Sequence, residues 1–240
     1  LVLAETPSNP RLAVADLAEI GGIRGPFTVV DSTFATPMVQ RPLEFGVSLV
    51  LHSATKAIAG HNDATLGVVA GEKELVDAVW AYSVMHGSVA SPHDAHNALR
   101  GIRTLAVRTE RQHASALRIA RALQSHPKVS EVMHPFLESH PQHRLARSQM
   151  RMGGTLVSFE ITGGTDACRS FMKSLRLVRR ATSFGGPETL VCHPATAIQV
   201  GVSGDELAAT GVTDGLLRLS VGLENAEDLV SDVTAALHAL

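Results

Sequence analysis

The sequence predicts an α/β fold: a mainly parallel sheet followed by a smaller C-terminal α+β unit. Three observations carry that prediction. Residues 27–30 and 47–51 are continuous apolar runs without alternation, the pattern of strands buried on both faces. Helical and turn segments separate these runs, the order that a parallel sheet needs for its crossovers. Beyond a long helical tract, residues 129–133, 155–160 and 217–221 return as alternating or apolar segments suited to strands.

Taken in order, residues 1–4 form the first strand, ended by the turn-rich Glu5-Thr6-Pro7-Ser8-Asn9-Pro10. Leu12, Leu17 and Ile20 share one side of a helix over residues 12–20, stopped by Gly21 and Gly22. The next strands end at Asp31 and His52. Ligands of open parallel sheets bind beyond the carboxyl ends of the strands. The stretch from Glu5 to Asn9, Asp31, and the stretch from Ser53 to Lys56 are therefore expected to meet along one edge. Residues 92–125 read as mainly helix, closed by His126 and Pro127. Arg100, Arg103, Arg108, Arg111, Arg118 and Arg121 are interleaved there with Leu99, Leu105, Leu117 and Leu123, so the arginines are expected on the solvent side. Helices over residues 167–175 and 226–240 accompany the later strands. The division falls along the long helix, giving units 1–110 and 111–240.

Composition narrows the function. The chain is 45% hydrophobic and 18% charged with a formal net charge of -2, an ordinary globular balance. It has no clustered basic stripe for a nucleic acid, and no apolar run approaching the roughly 18 residues of a membrane span. Cys168 and Cys192 lack CxxC spacing and no signal-peptide pattern is present, which predicts a reduced, cytoplasmic protein. His93 with His96, and His140 with His143, have neither an HExxH pattern nor nearby thiols, so no metal is expected.

Lys56 carries the chemistry. It follows a buried strand and stands among Ser53, Ala54, Thr55, Ala57 and Gly60 instead of other charges. One reading is a strand-end lysine that reaches water. The other is a desolvated amine, whose lowered pKa makes it a nucleophile toward a carbonyl. Pyridoxal phosphate (PLP) needs such a Schiff-base lysine, and a carboxylate for its pyridine nitrogen, which Asp31 supplies from the neighbouring strand end. Ser53 and Thr55 offer hydroxyls suited to a phosphate. Arg218 offers a planar fork for a carboxylate, or else a structural ion pair with Glu224 or Asp228.

The segments ETPSNP, VVDSTFATP, VLHSATKAIAGHND, SFGGPETLVCHPA and LLRLSVGLEN resemble, in order, motifs of the Cys/Met-metabolism PLP enzymes, and the resemblance covers essentially the whole chain. It implies an aspartate-aminotransferase-like (PLP type I) fold and a homotetramer of dimers with shared active sites. It makes Lys56 the Schiff-base lysine and proton shuttle, and pairs Asp31 with the pyridine nitrogen. Ser53 and Thr55 then hold the phosphate, Asn9 lies near the ring hydroxyl, and Arg218 binds the substrate α-carboxylate. Ser183 contacts the substrate or the reacting lysine. Three positions depart from the family pattern: Ser32 replaces an asparagine, residues 195–199 replace the MTH segment, and Thr182 stands where cystathionine-specific lyases often carry glutamate. The family's N-terminal arm and first part of its large domain have no counterpart here, so the chain is expected to hold only part of an active site.

The activity implied is a PLP-dependent carbon–sulfur lyase of trans-sulfuration, eliminating a γ-thiol from methionine- or cystathionine-like substrates. The products are a 2-oxo acid, ammonia and a thiol. γ-Replacement on an O-acylhomoserine uses the same residues, and β-elimination is a third possibility. A catalytically silent subunit is the alternative from a different class.

Overall fold

The computed structural model describes residues 1–197 and 210–240. Ile198 and Gln199, the end of the altered segment, lie outside the described residues. Strands β1 (Val2–Glu5), β2 (Thr28–Asp31), β3 (Leu49–Ser53) and β4 (Gly67–Gly71) form one sheet in that order. β1, β2 and β3 are parallel, and β4 runs antiparallel to β3. Because the first three run the same way, Glu5, Asp31 and Ser53 all fall at one edge, with Glu5 in register with Asp31. The expected convergence of strand ends is what the register gives.

β4 was not expected, and it makes this sheet mixed. Its sequence, GVVAG, is short and bracketed by glycines, so the apolar signal is weak. The helix after it, α2 (Lys73–His86), was missed for a related reason. It buries none of its residues and leaves Trp80, Tyr82 and Met85 exposed, so it has no polar face opposite an apolar one.

The first helix, α1 (Leu17–Gly22), is shorter than the periodicity predicts and runs through both glycines. Asp16 caps it by accepting from the backbone N–H groups of Ala18 and Glu19. The residues before Asp16 are tied instead into a loop, in which Ser8 Oγ accepts from Ala13 N and Thr6 Oγ1 from Ala15 N. Leu17 still packs with Val30, Val47 and Val50 under the sheet.

The long helical tract divides into α3 (Pro92–Ile102) and α4 (Leu105–Gln124). Beyond it, β5 (Val129–Met133), β6 (Leu156–Ile161), β7 (Arg179–Arg180), β8 (Leu190–Cys192) and β9 (Leu216–Ser220) make a second sheet, ordered β5-β6-β9-β8-β7. Among the described strands of this sheet, only β7 and β8 pair in parallel. Helices α5 (His143–Gln149), α6 (Gly164–Ser174), α7 (Pro194–Ala197) and α8 (Ala226–His238), with a 3-10 turn at Pro42–Phe45, complete the described elements. Ile119 and Leu123 of α4, Phe171 of α6 and Leu229 and Val233 of α8 pack on Phe159, Leu217 and Leu219. With a period of two, Leu217 and Leu219 take that face, and Arg218 and Ser220 are delivered to the other. All five residues of β9 are buried, so Arg218 is a charge inside the protein.

Arg108 departs from expectation in the same way. It is 5% exposed, not solvated, and its neighbours on one face of α4 include the buried Gln112 and Ala116. Arg100, Arg103, Arg111, Arg118 and Arg121 do face solvent.

His134, just after β5, is fully buried; its Nδ1 accepts from Phe136 N and its Nε2 has no partner. Burial, then the charge of the stacked His113, lowers its pKa to about 3 from an ordinary value of 6.5. The unfolded chain thus binds this proton first, so the contribution to stability is complete above pH 6.5 and is lost as pH falls toward 3. Urea unfolding should show stability declining across that window, and His134→Gln should flatten the decline.

Candidate active site

Lys56 sits in the turn that follows β3. Its backbone N–H donates to Ser53 O, and Gly60 N returns to Lys56 O at 2.7 Å, closing one helical turn. The amine reaches the second sheet's side of the molecule, donating to Ser183 Oγ at 3.2 Å and standing 4.9 Å from the Phe184 ring centre. Desolvation lowers the Lys56 pKa, and the nearby positive charge of Arg218 lowers it further. Both causes favour the neutral amine.

Asp31 ends β2. Thr33 donates to its Oδ1 twice, from the backbone N–H at 2.9 Å and from the hydroxyl at 2.5 Å. The same hydroxyl accepts from Ser53 N at 2.8 Å, locking the ends of β2 and β3 together. With both bonds on Oδ1, Oδ2 is available to a ligand's N–H. Thr55 Oγ1 is already shared with Leu66, accepting from its N–H at 3.0 Å and donating to its carbonyl at 3.3 Å. A phosphate at Thr55 therefore has to draw the hydroxyl proton away from Leu66 O.

Arg218 is 2% exposed and holds the site together from β9. Nη1 donates to Asn9 Oδ1 at 2.7 Å, and Nη2 to Thr182 O at 2.7 Å and Ser183 O at 3.4 Å. Among the described residues no carboxylate bonds it. Glu224, an ion-pair candidate on sequence grounds, accepts instead from Thr189 N and Oγ1, and Nε of Arg218 is buried with no partner. Burial lowers the pKa of the guanidinium, and the Cys192 and Glu5 charges oppose that shift. An unmet donor on a buried cation fits a carboxylate that arrives from outside.

Asn9, Asp31, Ser53 and Lys56 lie at the expected strand-end edge of the first sheet, and Ser183 and Arg218 meet it from the second sheet. Asn9 lies on Arg218, and Glu5 Oε2 accepts its backbone N–H at 3.2 Å. The residues between them were not expected from the sequence. Phe34 and Phe184 meet edge to face at 4.5 Å, and the Arg218 guanidinium lies 5.6 and 5.4 Å from their centres. Thr33 and Phe34 follow Asp31 within the VVDSTFATP segment, and Thr33 bonds the carboxylate while Phe34 turns to Phe184 and Arg218. A cavity of about 490 Å³, lined by Thr55, Asn62, Arg179, Ser183 and Glu188, opens beside Ser183.

Similarity to known proteins agrees with this chemistry. Residues 1–238 match the family described as Cys/Met metabolism PLP-dependent enzyme. An L-methionine gamma-lyase of Pseudomonas deceptionensis is 43% identical across the whole chain, and a cystathionine beta-lyase of Coxiella burnetii is 42% identical over 99% of it. The crystal structure of cystathionine gamma synthase from Xanthomonas oryzae pv. oryzae, in complex with aminoacrylate and cysteine, superposes with a TM-score of 0.96 at 44% identity, over 99% of this chain and 62% of that one. The chain spans 62% of the length of both curated relatives. With its α/β architecture of mixed sheets and its motifs in place, the chain belongs to the family of Cys/Met metabolism PLP-dependent enzymes.

Proposed function

We propose that this chain carries the lysine-bearing part of a PLP-dependent carbon–sulfur lyase that performs γ-elimination on methionine- or cystathionine-like substrates. One observation carries the reading. A half-buried amine of lowered pKa, Lys56, touches Ser183, whose own carbonyl and that of Thr182 receive a buried guanidinium with an unmet donor. Amine chemistry and carboxylate recognition meet there within a few residues.

PLP, when bound, supplies an aldehyde for amines and a ring that stores the electron pair released at the substrate Cα. Lys56 would hold it through its side-chain amine and would move the proton at the substrate Cα. Asp31 Oδ2 would accept the ring N–H, and Ser53 and Thr55 would present hydroxyls to the phosphate. Asn9 serves both the ring hydroxyl and Arg218. Arg218 binds the α-carboxylate, with Nε as the donor freed for it. Ser183 orients the Lys56 amine. The aromatic pair Phe34 and Phe184 walls this space from water, which strengthens each charge interaction inside.

The same reading gives an aspartate-aminotransferase-like fold, divided near residue 110 within α4 into part of the PLP-binding domain and a smaller C-terminal domain; the two separate sheets support it. It also gives a homotetramer, supported by the apolar side chains that α2 exposes. A reduced, cytoplasmic setting accords with Cys168 and Cys192, both buried free thiols. No described helix is long and apolar enough to cross a membrane.

γ-Replacement is the second reading, favoured by the likeness to a cystathionine gamma synthase. Product analysis with methionine, cystathionine and O-succinylhomoserine, each with and without added thiol, separates the two. Elimination predicts a 2-oxo acid and ammonia without any thiol; a product formed only when thiol is added overturns it.

Lys56→Ala should abolish turnover and leave the circular dichroism spectrum unchanged. Substantial residual elimination contradicts the role of this amine. Asp31→Ala should weaken PLP binding and lower kcat more than it raises KM, because the carboxylate matters most when the ring is electron-rich. Arg218→Ala should reduce kcat/KM by about 30- to 3000-fold, since truncating a buried charge pair costs roughly 2–5 kcal/mol. Arg218→Lys should recover only part of that, as it lacks the planar fork. The visible absorbance of bound PLP should persist in both Arg218 variants.

A further inference from the structure

Two buried polar side chains one turn apart on α4 grip the two loops that meet at the Lys56 amine. Arg108 holds the Lys56 turn. Its Nη1 donates to Ala57 O at 2.8 Å, its Nη2 to Ile58 O at 3.3 Å and Gly101 O at 2.8 Å, and its Nε to Thr104 Oγ1 at 3.0 Å. Gln112 holds the Ser183 loop, its Nε2 donating to Gly186 O at 2.8 Å. They are 5% and 1% exposed.

The fit around them is tight. A Cβ on Gly60 would stand 2.0 Å from Arg108 Nη1, and one on Gly185 would stand 2.6 Å from Ala57 N. The Ala57 peptide is thus held between the Arg108 guanidinium and the Ser183 loop. Among the described residues no carboxylate bonds Arg108, and its buried charge is met by backbone carbonyls and one hydroxyl. A charge placed this way costs desolvation energy that an apolar side chain would not. What it provides in return is a fork that fixes several carbonyls of one turn at once.

We infer that Arg108 and Gln112 are positioning residues that use α4 as a rigid spacer to set the distance between the Lys56 amine and Ser183. Arg108 acts through the Ala57 and Ile58 carbonyls, and Gln112 through Gly186. Neither touches the amine. The inference rests on the reading of Lys56 as the activated amine.

The test measures how fast each lysine of the full chain, free of PLP, reacts with trinitrobenzenesulfonate as pH is varied, resolved by peptide mass mapping. In the unaltered protein Lys56 should react faster near neutral pH than Lys73, Lys128 and Lys173; if it does not, the activated-amine reading itself fails. In Arg108→Lys and Gln112→Met the amine should drift from Ser183 and from the Arg218 charge. Its reaction at neutral pH should then slow by roughly three- to tenfold, about half to one pKa unit, with the other lysines unchanged. In a Ser183→Ala background Gln112→Met should have little additional effect. Lys56 reacting as in the unaltered protein, in variants that melt cooperatively, overturns the inference. If Arg108→Lys does not fold, Gln112→Met, which removes a single hydrogen bond, decides alone. If neither folds, the pair serves stability and the positioning role is overturned.

Discussion

Burying a guanidinium without a carboxylate costs several kcal/mol unless other acceptors meet it, and the arrangement around Arg218 answers that demand. Asn9 comes from the loop after β1, and the Thr182 and Ser183 carbonyls come from the loop before β8. One side chain thereby ties the strand-end edge of the first sheet to the second. Ser158, on the same face of the second sheet, adds a bond to Pro10 O at 2.5 Å, and Ser220 receives Gly185 N at 3.0 Å. The two-residue period of β9 makes this possible, since Leu217 and Leu219 anchor the strand in the core while Arg218 and Ser220 look the other way.

A second constraint comes from the parallel strands. Glu5 lies in register with Asp31, β3 runs two residues further to Ser53, and Thr33 fastens Asp31 and Ser53 through a single hydroxyl. Lys56, one turn beyond β3, then reaches Ser183 on the loop that Arg218 holds. The lowered pKa of Lys56 follows from the same geometry, because partial burial and the Arg218 charge act on one amine. The proposed site needs an amine and a guanidinium at fixed separation, and hydrogen bonds between loops of different sheets hold Lys56 and Arg218 against the same Ser183 loop.

Much of this was legible in the sequence, for a physical reason. Continuous apolar runs ending at Asp31 and His52 are the pattern of buried parallel strands, and polar residues at the ends of such strands share one edge. Lys56 stood out because a lysine among small residues after such a run has no ordinary surface neighbours. The misses have physical causes too. Arg108 carries a surface residue's charge at a core position, and only the approach of the Lys56 turn reveals its acceptors. The α1 boundary was lost because Asp16 caps later than Leu12 begins the pattern. β4 is too short, and α2 too evenly exposed, for periodicity to mark them. Phe184 gave no sign in sequence of lying against both Lys56 and Arg218, since that contact joins residues far apart in the chain.

Lys56 is proposed as the amine that takes up the cofactor. The most direct measurement adds PLP to the protein, reduces the mixture with borohydride and maps the modified peptide by mass spectrometry. The account predicts a single phosphopyridoxyl group on Lys56, absent in Lys56→Ala and retained in Arg218→Ala. Modification spread over Lys73, Lys128 and Lys173, with Lys56 no more reactive than these, would contradict it.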